Sequence, residues 1–321
     1  MFRTDINHWL QQWDHSFVYW FFEGVSTLGT SLVLIVLLYS IMIGGNLKKG
    51  FGVANMFFYV ILLTLLFKTV VDYPRPMAVD TTLNGFGRKV NTENLLKMQP
   101  KGFFDTFSTS LLHKIRSQKA AREGFPSGHT SLITAIMFGL ALVYRRRWLW
   151  FLSTTIIVLM MFSRMYLARH YLGDVLGGLG VGLLFTYLVY AIWQQTFYTD
   201  KSSNAATYFM LFPLILIPFY AWFPAFPTGT FIGLNLGYLT IQRVWGNPVY
   251  SDNIGIRIAS VVVFAFIAFL STYINRRLDF PEYGLVAMLL YIVFSMISFL
   301  SAAFICVQTK WWLFQSEKLK V

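Results

Sequence analysis

The stretch SSNAATYFMLFPLILIPFYAWFPAFPTGTFIGLNLGYLTIQ, residues 202–242, runs for 41 residues without one Asp, Glu, Lys, Arg or His. A helix that crosses the hydrocarbon of a bilayer needs about 20 apolar residues, each advancing about 1.5 Å. The run is therefore long enough for two crossings, and Pro224, Pro227 and Gly229 mark the bend between them. The same grammar extends outward in both directions. Uncharged runs at 24–47, 50–67, 130–144, 148–163, 175–199, 258–275 and 283–309 repeat it along the chain. Residues AVILMFWYC make up 56% of the 321, and Asp, Glu, Lys and Arg only 12%, about half the charged share of a soluble domain. A soluble core of this size could not hide so much apolar surface, so the solvent is lipid.

With polar ends included, the runs predict nine spans: roughly 27–46, 50–72, 127–144, 148–164, 172–194, 206–224, 229–244, 255–275 and 283–308. The fold expected is an all-α, polytopic transmembrane helical bundle. Before the first span, Ile6, Trp9, Leu10, Trp13, Phe17, Trp20 and Phe21 follow helical spacing, with polar residues on the other face. Residues 1–26 thus read as an amphipathic helix lying in the membrane interface. Residues 27–195 form the expected catalytic transmembrane core, interrupted by an external insertion at 77–125, and 196–321 an additional four-span region. Alternation gathers Lys48, Lys49, Arg145, Arg146, Arg147, Lys201, Arg243 and Lys310 on one side, the cytoplasmic one by the positive-inside rule. Arg276 and Arg277 are the exceptions on the other side. The N-terminus and residues 73–126 then face outward, in keeping with a multi-pass protein of a bacterial inner membrane whose outer loops face the periplasm.

The scarce charges are unbalanced, 26 Lys and Arg against 14 Asp and Glu. No long basic run or soluble domain exists to carry nucleic acid, so the excess points to membrane anchoring or to an anionic substrate. The single cysteine, Cys306, excludes an internal disulfide and a cysteine-rich metal site.

Three polar clusters break the apolar pattern, all at the outer ends of their spans. Lys68, Asp72, Arg75 and Pro76 close the second span. Pro126-Ser127-Gly128-His129 opens the third. Ser163, Arg164, Arg169, His170 and Asp174 join the fourth to the fifth. Each has an ordinary reading taken singly: snorkelling anchors, a helix start, a satisfied polar pair. Together they bring a lysine, two arginines, two histidines and an aspartate to one face of the membrane, which scattered anchoring does not require.

The set suits phosphoryl transfer, whose main task is stabilising charge on the phosphoryl oxygens. Lys68, Arg75 and Arg164 supply cations, Ser127 a hydroxyl, and Gly128 the backbone N–H groups of a helix start. His170 can attack phosphorus through an unprotonated nitrogen while Asp174, one turn on, accepts from the other. His129 is then free to protonate the leaving oxygen and to activate water. No ligand cluster requires a metal or other cofactor.

In the pattern K-x6-R-P, P-S-G-H and S-R-x5-H-x3-D these clusters resemble the type-2 phosphatidic acid phosphatase superfamily. Every specified position is matched, by Lys68, Arg75 and Pro76, by Pro126 to His129, and by Ser163, Arg164, His170 and Asp174. The resemblance covers about residues 25–195. It implies a phosphohistidine intermediate on His170, His129 as acid and base, no metal, and a helical bundle with its site at the outer membrane surface.

The insertion carries a stripe at Phe103, Phe107, Leu111 and Ile115, widened by Phe104 and Leu112, among Lys101, Lys114, Arg116, Lys119 and Arg122. Two readings stay open: a basic amphipathic helix resting on anionic lipid headgroups at 101–122, or a packed lid. The substrate expected is a membrane lipid bearing a phosphomonoester or diphosphate, such as phosphatidate, phosphatidylglycerophosphate, a polyprenyl diphosphate or lipid A. Alternatives are a soluble sugar phosphate, transfer to an acceptor alcohol, or a non-catalytic anion transporter. His8, His15 and His113 match no motif, and Gly173, Gly177, Gly178 and Gly182 read as close helix packing.

Overall fold

The computed structural model describes residues 1–86, 94–117, 122–199, 203–250, 252–278 and 280–313. Helices α1 (Asp5–Gln11) and α2 (Ser16–Leu28) lead into α3 (Ser31–Tyr39), which continues as a π-helical turn over Ser40–Gly45. α4 (Leu47–Val71) and the short α5 (Pro76–Val79) precede a 3-10 turn at Leu96–Met98 and α6 (Thr109–Ser117). Then come α7 (Gly128–Tyr144), α8 (Arg147–Tyr166) and α9 (Leu172–Gln194), the last ending in a π-helical turn at Gln195–Thr199. α10 (Ser203–Leu211) tightens into a 3-10 helix over Phe212–Phe219, and α11 (Ala225–Val244), α12 (Ile254–Leu278) and α13 (Leu285–Gln308) follow. Two short strands, β1 (Val249–Tyr250) and β2 (Trp312–Leu313), pair antiparallel.

Segments long and apolar enough to cross a membrane are Leu47–Val79, Arg147–Tyr166, Leu172–Tyr198 and Leu285–Gln308. A fifth arises if Ser16–Leu28 and Val33–Gly45, bent by 50°, count as one broken span. Among the described residues the helices thus supply four to five such spans where sequence spacing predicts nine. Of the remaining predicted spans, 127–144 and 206–224 fall on shorter or irregular elements, whereas 229–244 and 255–275 lie on the 20-residue α11 and the 25-residue α12. Gly128–Tyr144 has only 17 residues, and the 206–224 span changes from α to 3-10 pitch where Pro213 and Pro218 withdraw backbone donors.

The chain divides into two compact units. The first comprises Met1–Leu34 and Tyr59–Tyr187 and holds every candidate site residue. Within it α7 and α8 form an αα-hairpin: Arg145 takes a left-handed φ of 51°, ending α7, and Ser153 Oγ donates to the Met137 carbonyl at 2.8 Å. α1 and α2 pack on α8. Thr64 of α4 and Ser131 of α7 share a hydroxyl hydrogen bond at 2.9 Å. α9 approaches the start of α7 closely because it presents glycines there. A Cβ at Gly178 would lie 2.6 Å from the Ser127 carbonyl oxygen, and one at Gly182 2.6 Å from Thr134 Cβ.

The N-terminal amphipathic pattern is divided between two helices, broken at residues 12–15. Its aromatic face points away from the unit: Trp13, Phe17 and Trp20 are exposed, as an interfacial surface requires. Of its polar residues Thr4 and Asn7 are turned inward and buried, whereas Asp5, Gln12, Asp14 and His15 are exposed. His8 Nε2 meets the buried carboxylate of Asp80 at 2.8 Å, and hydrogen bonds from Thr82 complete that carboxylate.

The second unit comprises Ile35–Phe58 and Leu188–Val321. α11 lies against α13 over most of its length, where Gly229 and Gly233 leave no room for a Cβ beside the α13 backbone. Phe51 stacks on Tyr238 at 3.8 Å between centroids, and Trp312 Nε1 donates to the Ile43 carbonyl at 3.3 Å. No candidate site residue belongs to this unit.

Candidate active site

The first cluster is shaped by the end of α4. Asp72 adopts a φ of 48° and stops the helix, and Arg75 is extended before Pro76 opens α5. The buried Asp72 carboxylate accepts from Arg122 Nε at 3.0 Å and from Arg116 Nε at 3.3 Å. Lys68 Nζ donates to the Glu123 carbonyl and Arg75 Nε to the Arg122 carbonyl at 3.2 Å. The Gly124 N–H reaches the Tyr73 carbonyl at 2.7 Å. The 122–124 segment is thereby strapped over the two cations, and Asp72 engages Arg122 of the strap and Arg116 of α6.

The second cluster forms the start of α7. Ser127 is buried, its N–H donates to the Asp174 carbonyl at 2.9 Å, and its Oγ accepts from Thr130 at 3.0 Å. Because Ser127 makes no side-chain cap bond, the N–H groups of the first turn are not capped by it. Gly128 lies beside Lys68, with Cε 3.6 Å from where a Cβ would stand. The half-buried His129 packs on Gly29, where a Cβ would approach its Cδ2 to 2.8 Å.

The third cluster closes the circle. Ser163 Oγ donates to the Phe22 carbonyl at 2.7 Å, and the buried Arg164 donates to Ser26 Oγ. Beyond α8 the chain reverses through Ala168 at φ 51°, and the N–H groups of Arg169 and His170 both donate to the Arg164 carbonyl, at 3.0 and 3.2 Å. His170 is then buried, its Nδ1 3.4 Å from Asp174 Oδ2, which also accepts the Tyr171 N–H at 2.9 Å. At 3.4 Å the His–Asp contact is long for a hydrogen bond. Burial holds the His170 imidazole well below its usual 6.5, and Arg75, Arg164, Lys68 and His129 push it further down. A proton-free nitrogen is therefore the resting state at neutral pH. The charges of the three cations thus act together on His170.

A family model for the PAP2 superfamily matches residues 28–198. The chain belongs to the PAP2 superfamily. The match takes in all three clusters and extends past the first compact unit into the turn after α9. The chain is also similar to a lipid A 4'-phosphatase of Porphyromonas gingivalis, 25% identical over 75 residues. That similarity covers 23% of this chain and 32% of the relative, so the chain spans about a third of that protein's length. No solved structure matches.

Around this PAP2 site the insertion is packed in part. α6 covers only Thr109–Ser117, so the stripe expected from Phe103 to Ile115 is not one helix. Phe107, Leu111 and Ile115 are buried with Phe2, Ala78, Val79, Leu95 and Tyr171, whereas Phe103 and Phe104 are exposed. Lys119, expected among the headgroup contacts, lies outside the described residues. Sequence reasoning missed Asn7, Phe22, Ser26 and the 122–124 strap. Ser26 carries one faint signal, a polar side chain one helical turn after Phe22, whereas Asn7 lies among Thr4 and Gln11 and carries none. The strap carries none, since two of its contacts are made by backbone carbonyls.

Proposed function

We propose that the chain is a membrane phosphatase that hydrolyses a phosphomonoester or diphosphate of a lipid through a phosphohistidine on His170, without a metal. The observation that carries this reading is the buried His170, backed by Asp174 and held in its neutral form by burial and by the charges of Arg75, Arg164 and Lys68. Asp174 faces Nδ1, which favours a proton there and leaves Nε2 as the nucleophile. Nε2 attacks phosphorus and the bond to the lipid oxygen breaks. His129 gives that oxygen its proton, then takes one from the water that cleaves the phosphorus–nitrogen bond and releases phosphate. Lys68, Arg75, Arg164, Ser127 and the Gly128 backbone balance the charge of the phosphoryl oxygens.

The PAP2 membership and the lipid A 4'-phosphatase similarity favour a lipid over a soluble sugar phosphate. In this reading nine spans cross a bacterial inner membrane, residues 27–195 are the catalytic core and 196–321 an added region. The aromatic helices of 1–26 rest in the interface, and the site opens to the periplasm. Basic residues at 101–122 meet anionic headgroups. Anion transport is less well supported, because it needs no buried His–Asp pair beside a second histidine. The test is phosphate release in detergent from a panel of lipid, isoprenoid and sugar phosphates, with acceptor alcohols added. His170→Ala is expected to abolish release in a folded protein. Unchanged turnover overturns the reading, and activity lost to a chelator and restored by one metal overturns its metal-free form.

A further inference from the structure

The N-terminal segment that the sequence assigns to a membrane surface also grips the His170 loop. The side-chain amide of Asn7 is buried, and its Nδ2 donates to two carbonyls of that loop, Met165 at 2.7 Å and His170 at 3.1 Å. One turn on, Gln11 Nε2 donates to the Tyr166 carbonyl at 2.8 Å. On the far side of the loop Phe2 occupies the space above Gly173, where a Cβ would come within 2.7 Å of its ring. These contacts fall on the reversal through Ala168, where the backbone leaves helical geometry and the Met165 carbonyl also accepts the Ala168 N–H at 3.0 Å.

We propose that Asn7 is a positioning residue for His170. Its amide fixes the loop backbone from both ends, Met165 and His170, and so sets the direction from which the imidazole meets both Asp174 and an incoming phosphate. The His170–Asp174 separation of 3.4 Å leaves little slack before that contact is lost. Gln11 docks the same helix without touching the histidine, and so separates docking from positioning. The inference rests on the proposed role of His170 for its kinetic consequence, but not for its structural one.

The experiment uses the full chain in detergent, comparing Asn7→Ala, Asn7→Asp and Gln11→Ala. Three quantities are read: kcat and KM for a lipid phosphate, thermal midpoint, and hydrogen exchange in peptides covering 165–173. Asn7→Asp keeps the shape but turns a donor into an acceptor facing two carbonyls. Asn7→Ala serves if that variant fails to fold. The Asn7 variants are expected to lose about 10- to 100-fold in kcat, as for a misplacement of up to an ångström. KM changes by less than about threefold, because the phosphate-binding cations are untouched. Exchange at 165–173 rises more than in Gln11→Ala at a similar thermal midpoint. Unchanged exchange at 165–173, or a kcat loss in Gln11→Ala equal to that in the Asn7 variants, overturns the proposal. If His170→Ala retains turnover while the Asn7 variants still loosen 165–173, the phosphatase reading fails and the grip on the loop stands.

Discussion

Replacing Gly178 by alanine tests whether the site depends on the close approach of α9 to the first turn of α7. The added methyl would lie 2.6 Å from the Ser127 carbonyl oxygen, 3.2 Å from Thr130 Cβ and 3.3 Å from the Ser131 nitrogen. Two of these are backbone atoms, which cannot rotate away. The Ser127 oxygen is further tied by the Ser131 N–H at 3.0 Å, and the Ser127 N–H holds the Asp174 carbonyl at 2.9 Å. Ordinary contact begins near 3.4 Å, so the start of α7 must withdraw from α9 by about 0.8 Å. Overpacking of this kind costs about 1–3 kcal/mol, offset by up to about 1 kcal/mol of helix propensity gained on leaving glycine. Stability should therefore fall modestly. Catalysis should suffer more, because Ser127, Gly128 and His129 ride on α7 whereas Asp174 rides on α9. A shift approaching 1 Å costs on the order of 10²-fold in a positioned reaction, so kcat is expected to fall about 30- to 100-fold. Gly180 on the same helix is the control, since a Cβ there meets nothing within 4 Å. Gly180→Ala should keep wild-type turnover and gain about 0.5–1 kcal/mol. Both are read by phosphate release against lipid concentration, with thermal midpoints alongside. A Gly178→Ala kcat within about threefold of Gly180→Ala would refute the reasoning, since a displacement that size cannot be catalytically silent.

Arg75 holds the proton off His170 second only to burial itself. Removing that positive charge raises the His170 pKa toward 6.5, so Arg75→Gln should move the acid limb of kcat/KM to higher pH. Arg75→Lys keeps the charge and should leave the limb in place; the same limb in both variants sinks the assignment. Asp72→Asn removes the carboxylate that Arg116 and Arg122 share. Faster trypsin cleavage after these two arginines is expected, together with a KM raised a few-fold as the strap loses its anchor; unaltered cleavage would show that the strap is held by its backbone contacts alone.

How much of this was legible beforehand differs from residue to residue. Lys68, Arg75, His129, Arg164, His170 and Asp174 stood out as candidates because charged and titratable groups at the ends of apolar runs are costly and therefore informative. The glycines at 177, 178 and 182 were readable as packing, and the close approaches to Phe125, Ser127 and Thr134 give the reason. The insertion was half readable. Its stripe marks residues that are buried at 107, 111 and 115, but helical spacing from 103 onward did not foresee that the helix begins only at Thr109. Span counting did not foresee the change to 3-10 pitch at 212–219, where Pro213 and Pro218 withdraw backbone donors.

The sequence by itself determined the solvent, the helical class and the family, because each depends on residue type and spacing along one chain. Hydrocarbon requires long apolar helices, and phosphoryl transfer requires cations and imidazoles at fixed offsets on them. What only the tertiary structure decided is how those groups are held. The Asn7 amide on the His170 loop, Ser26 on Arg164 and the 122–124 carbonyls on Lys68 and Arg75 join residues far apart in the chain. Such partners are chosen by distance in space, and a carbonyl that accepts from lysine leaves no mark in the identity of its own side chain.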